Sequence, residues 1–89
     1  MDKAEANTIL SEQLARFNGR SHSELAALVE SRHLEAYEVR GASGTSYQVE
    51  IQLFWDGRPG DTIRILGSID DGGIRALFPV TDSVLVTRT

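Results

Sequence analysis

The tightest constraint on the fold is the run Tyr47–Trp55, in which Tyr47, Val49, Ile51, Leu53 and Trp55 alternate with Gln48, Glu50, Gln52 and Phe54. Successive side chains of a β-strand point to opposite faces, so this period of two marks a strand with one buried side. A helix would scatter the same residues around its axis. The rest of the chain must therefore supply neighbouring strands and a layer that covers the apolar side.

The following residues repeat the pattern. Asp56-Gly-Arg-Pro-Gly60 reads as a turn, and Ile63, Ile65, Gly67 and Ile69 as a strand. The stretch Asp61–Phe78 then reads as a hairpin, because a two-residue Asp71-Gly72 loop between β-branched runs favours a type I′ turn. Ile74, Ala76 and Phe78 form its second arm, stopped by Pro79; Thr81-Asp-Ser83 is a turn, and Val84–Thr87 a short fifth strand. Upstream, Tyr37 and Val39 alternate with Glu38 and Arg40, and Gly41–Ser46 is a turn of small residues.

Residues 1–33 have a helical period instead. Ala6, Leu10, Leu14 and Phe17 share a face with Ile9, and Asn18-Gly19 stops the helix, with glycine expected in the left-handed conformation. Ser21-x-x-Glu24 is a capping box for a second helix, which carries Leu25, Leu28 and Val29 and ends near Arg32-His33. So short a link favours an antiparallel helical hairpin. The expected fold is one α+β domain over residues 1–89: a helical hairpin (1–33) packed on one face of a four- to five-stranded antiparallel meander (34–89).

Turn length sets the expected pairings: Val39 with Val49, Tyr37 with Ile51, Leu53 with Ile63, Ile51 with Ile65, Ile69 with Ile74, Ile65 with Phe78, Phe78 with Val84 and Ala76 with Val86. All place apolar opposite apolar. On the outer face they align Glu38, Glu50, Leu66, Leu77 and Leu85, flanked by Arg40, Gln48, Ser68 and Arg75, with Arg64 and Phe54 also outward. The leucine row either covers itself or forms a partner or dimer surface with an arginine rim. An exposed first or last strand offers a second dimer contact, by edge pairing.

The net charge of −4 argues against broad binding to nucleic acid or anionic membranes, which needs clustered positive charge. Cysteine is absent, which excludes disulfides, thiolate metal sites and cysteine nucleophiles. Asp2, Glu5 and Glu12 break the apolar character of the first residues, so no signal peptide is expected and the expected location is the cytoplasm.

Motifs for chemistry are sparse. Asp56, Asp61, Asp70, Asp71 and Asp82 stand at or beside turns, where aspartate hydrogen-bonds nearby backbone. His22 and His33 bracket the second helix without the spacing of a helical metal pair. Asp82-Ser83 has no histidine nearby in sequence to act as base. Gly57-Arg-Pro-Gly60 lacks both the ending and the following helix of a phosphate loop. Trp55 continues the inward alternation at a strand end, as core-edge packing.

The stretch IRILGSIDDGGIRALFPVTDS, residues 63–83, together with Trp55-Asp56, resembles a small bacterial family of uncharacterised proteins. The resemblance covers the C-terminal half and implies no activity and no functional residue. From the residues themselves the expected function is non-enzymatic: a protein-binding or accessory domain acting through the outer face toward another protein or a second copy of itself. An inhibitor or immunity-like role fits this description. Its candidate contacts are Phe54, Arg64, Leu66, Arg75, Leu77 and Leu85. The alternative is a small-molecule or anion-binding module using Arg40, Arg64 and Arg75. No catalytic residue, cofactor or metal is implied.

Overall fold

A computed structural model describes residues 1–73 and 79–88. Two helices, α1 (Lys3–Asn18) and α2 (His22–Glu30), precede four strands, β1 (Leu34–Arg40), β2 (Ser46–Trp55), β3 (Ile63–Asp70) and β4 (Val80–Val86). The strands form an open antiparallel sheet in the order β1-β2-β3-β4, so β1 and β4 are its edges. No helix among the described residues is long and apolar enough to cross a membrane.

The helices begin and end where local chemistry allows. The Asp2 carboxylate caps α1 by accepting from Glu5 N–H at 3.1 Å, and the Ser21 hydroxyl caps α2 by accepting from Glu24 N–H at 3.2 Å. Gly19 does stop α1, but in right-handed geometry (φ −81°) rather than the expected left-handed one. At the end of α2 the left-handed position falls on Arg32 (φ 55°). There His33 N–H reaches Leu28 C=O and Arg32 N–H reaches Val29 C=O, each at 3.0 Å. This pair of bonds is a Schellman closure with arginine where glycine is usual. It explains why α2 ends at Glu30, two residues before the sequence period suggests.

One core holds the apolar sides of helices and sheet together. Ala6, Ile9, Leu10, Leu14 and Phe17 of α1 and Leu25 of α2 are buried with Tyr47, Val49, Ile51 and Leu53 of β2 and Ile63, Ile65 and Ile69 of β3. α1 lies mainly against β3 and β4, and α2 against β2 and β3. The closest approach is at Gly67, where a Cβ would stand 2.7 Å from Leu10 Cδ1, 3.1 Å from Leu14 Cδ2 and 3.2 Å from Ile51 Cδ1. The glycine in the middle of a strand is the seat of the helix.

The pairings differ from expectation by two residues, which keeps every side chain on its expected face. Val39 faces Tyr47 and Tyr37 faces Val49. Leu53 faces Ile65, Ile51 faces Gly67 and Trp55 faces Ile63. The cause lies in the turns. Gly41 N–H bonds to Thr45 C=O and Gly44 N–H to Gly41 C=O, which centres the first turn on Ser43 rather than Gly44. The second turn is longer than Asp56–Gly60, because Asp56 N–H bonds to Thr62 C=O.

The C-terminal part needs a larger correction. A type I′ turn requires positive φ at both central residues, and Gly72 has it (φ 80°) while Asp71 does not. Asp70 and Asp71 instead accept from the N–H groups of Gly72 and Gly73 at 2.9 and 3.1 Å, as side chains do in Asx-turns. β3 pairs with β4, joining Ile69 to Val80, Ile65 to Val84 and Ile63 to Val86. The partners expected for Ile69 and Ile65 across the next strand, Ile74 and Phe78, are therefore replaced by Val80 and Val84, and the expected pairings of Phe78 with Val84 and Ala76 with Val86 rest on residues outside those described. Thr81-Asp82-Ser83 is strand, not turn. The arm expected over Ile74, Ala76 and Phe78 lies outside the described residues, as do Arg75 and Leu77.

Two substitutions test this packing by urea unfolding. Gly67→Val should cost about 1–3 kcal/mol by forcing Leu10 and Leu14 out of their positions. Arg32→Gly should raise stability by about 0.5–1 kcal/mol by removing the side-chain penalty of the left-handed conformation.

Candidate functional site

The outer face of the sheet is the first candidate. Its rows run Phe54–Arg64–Leu85, Leu34–Gln52–Leu66–Ser83, Ala36–Glu50–Ser68–Thr81 and Glu38–Gln48–Asp70. Polarity therefore changes along the strands rather than across them. The end nearest the β2–β3 turn carries Leu34, Phe54, Leu66 and Leu85 around Arg64, and the other end is polar and acidic. The expected row of aligned leucines is not formed: Leu66 faces Ser83, and Leu85 faces Arg64. Phe54, Leu34 and Leu85 are the exposed large hydrophobic residues among those described, at 36, 54 and 49 % exposure.

Arg64 is held in place at the centre of this end. Its Nε donates to Asp56 Oδ1 at 3.0 Å and its Nη1 to Ser83 Oγ at 2.8 Å. Asp56 comes from the turn after β2 and Ser83 from β4, so the guanidinium ties both neighbours of β3 together. Arginine has five N–H donors, so this arrangement leaves donors to face outward. Of the expected contacts, Phe54, Arg64, Leu66 and Leu85 do share the face, while Arg75 and Leu77 lie outside the described residues. Arg40 does not join Arg64. It sits opposite Ser46 and Arg64 opposite Phe54, at the two ends of β2. At about 3.3 Å per residue the two are roughly 25 Å apart, too far to share one small anion.

Sequence reading missed a second cluster. Glu5, on the first turn of α1, reaches across to the β1–β2 turn. Its Oε1 accepts from Ser43 Oγ and from Tyr47 OH, both at 2.6 Å, and its Oε2 accepts from Ser43 N–H at 3.0 Å. Gly41 makes room, since a Cβ there would stand 2.5 Å from Glu5 Oε1. The hydrogen bonds from the Ser43 hydroxyl, then from Tyr47 and from the Ser43 backbone, hold the Glu5 carboxyl below its ordinary range, against a smaller opposing effect of burial. The Tyr47 phenol is pushed up from 10.0 to about 12, first by its bond to Glu5 and then by burial. These bonds join the start of α1 to the β1–β2 turn. The only sequence signal for it was an acidic residue in the first turn of a helix, which alone names no partner.

The histidines serve as structural contacts. His22 Nε2 donates to Asp61 C=O at 2.6 Å, and its ring lies 6.1 Å from that of half-buried Trp55. His33 Nε2 lies 3.1 Å from Glu35 Oε1. Among the described residues no group of three histidine, aspartate or glutamate side chains is placed to hold a metal ion. No family model matches the chain, and no curated protein or solved structure matches it.

The Glu5 joint should show in the pH dependence of stability. A carboxylate whose pKa is lowered on folding stabilises above its unfolded value of 4.5, and loses that contribution as pH falls below it. A phenol raised to about 12 stabilises below 10.0 and loses that contribution as pH climbs toward 12. Urea midpoints measured across pH should therefore drop at both extremes. Glu5→Gln should flatten the acid limb, and Tyr47→Phe the alkaline limb.

Proposed function

We propose that this chain is a non-enzymatic protein-binding module that docks another protein on the apolar end of its outer sheet face. The observation that carries the reading is the grouping of the exposed Leu34, Phe54 and Leu85 on one end of the outer face, around an arginine already fixed by Asp56 and Ser83. Interface cores are depleted in charge but enriched in aromatic residues and arginine. Residues that bind most strongly sit at such centres, ringed by contacts that exclude water. Arg64 has its conformation set before any partner arrives, so less ordering entropy is lost on binding. A fitting partner presents an apolar patch with a carboxylate or carbonyl group that meets the outward N–H donors of Arg64. In the same reading α1 and α2 form an antiparallel hairpin behind the sheet, supported by the brevity of their link at 19–21.

Leu85→Arg tests the reading, because Leu85 is exposed and its substitution should leave the unfolding free energy within about 0.5 kcal/mol of the parent. Affinity capture from the native host should lose its specific protein in Leu85→Arg and in Phe54→Ser while the parent chain retains it. An identical capture profile for parent and variants would show that this face does not bind.

A further inference from the structure

The two edges of the sheet are finished differently. β4 is covered by α1 and carries Asp82 on its helix-facing side, opposite Gly67. An inward charge and a covering helix both protect an edge from adding a strand. β1 runs seven residues in unbroken register with β2 and contains neither proline nor lysine. α1 is displaced toward β3 and β4, which leaves a groove of about 450 Å³ between α1 and the end of β1, lined by Ile9, Thr8, Glu12, Val39, Gly41 and Ala42.

The backbone of this edge has a defined polarity. Gly41 N–H bonds to Thr45 C=O, so in the antiparallel ladder the odd-numbered residues of β1 point their backbone groups toward β2. The N–H and C=O groups of Leu34, Ala36, Glu38 and Arg40 consequently face away from the sheet. Glu38 and Arg40 also carry exposed side chains on the outer face.

We propose that β1 pairs antiparallel with β1 of a second copy about a twofold axis at Val39, joining two sheets into one of eight strands. Charge selects the register. With the axis at Val39, Glu38 of each copy faces Arg40 of the other, giving two opposite-charge pairs. With the axis at Glu38, the two glutamates oppose each other. With the axis at Tyr37, Glu38 faces Ala36 and Arg40 faces Leu34, and no charge is matched. The Val39 register pairs residues 37–41 only. It leaves Glu35, an inward charge that would oppose pairing, beyond the joined stretch. It also sets Tyr37 of the second copy opposite Gly41, at the mouth of the groove. The contact is isologous, so it closes as a dimer and does not propagate. It lies on the edge opposite Leu85 and does not depend on outer-face docking.

Sedimentation at low salt and cysteine cross-linking test the proposal. The parent chain should sediment as a concentration-dependent dimer. Glu38→Arg should weaken the dimer about tenfold by placing arginine against arginine twice, and the double variant Glu38→Arg/Arg40→Glu should restore it. Because the chain has no cysteine, Val39→Cys should give a single disulfide-linked dimer on mild oxidation. The residue would face itself across a non-hydrogen-bonded pair with Cα atoms about 4.5 Å apart, within disulfide reach. A parent chain that stays monomeric at millimolar concentration overturns the proposal. So does a double variant that fails to reassociate, or cross-linking through Tyr37→Cys in place of Val39→Cys. Leu85→Arg should leave the dimer intact, which separates this edge from the outer face.

Discussion

The seating of α1 on Gly67 is the contact on which the rest of the structure depends. Leu10 and Leu14 rest where a side chain of β3 would otherwise stand, so the helix axis is drawn over β3 and toward β4. Everything on the far side of the sheet follows from that offset. β1 receives no broad apolar contact from α1 and is tied to it by polar groups instead. Tyr37 OH donates to Gln13 Oε1 at 2.6 Å, and Arg16 donates to the same Gln13 oxygen at 2.9 Å. The layer is apolar where the helix is close and polar where the gap widens.

Glu5 shows why one residue type is needed at the wide end. An ionised carboxylate accepts through both oxygens and donates nothing. Here it receives three donors from two places in the chain, the Ser43 turn and the Tyr47 ring. Glutamine would offer one acceptor oxygen and present an amide to the remaining donor. The cluster stabilises the fully buried Tyr47 by giving its hydroxyl a partner at the core boundary.

Facing was legible in the sequence, and register was not. The alternation of Tyr47–Trp55 and Ile63–Ile69 fixes which side of the sheet each residue occupies, and the apolar face of α1 appears in the structure residue for residue. A shift of two residues preserves that alternation, so hydrophobic pattern alone cannot separate Tyr37 facing Ile51 from Tyr37 facing Val49. Hydrogen bonds inside the turns decide between them, and those depend on whether Gly41 or its neighbours close the loop. Asp71-Gly72 carried a strong turn signal but lacked the backbone conformation the signal presumes. The apolar end of the outer face was partly visible, since Phe54, Arg64, Leu66 and Leu85 were all expected outward. Leu34 lies at the start of its strand, where the expected register already set it opposite Phe54; the two-residue shift moves it opposite Gln52, one step along the same face. Glu5 could not be found from spacing, because its partners are 38 and 42 residues away.

That separation in sequence bears on how the molecule assembles. The strands meet their neighbours through short connections, so the β1–β2 and β2–β3 ladders close small loops at modest entropic cost. Attachment of α1 requires contacts spanning nearly half the chain, and these become favourable only once the Ser43 turn and Gly67 are already in place. Contacts of high sequence separation slow folding because ordering precedes the gain. The N-terminal helix is the cover of this core, and a chain in which it had come away would present the bare Ile51–Ile65–Ile69 surface to its neighbours.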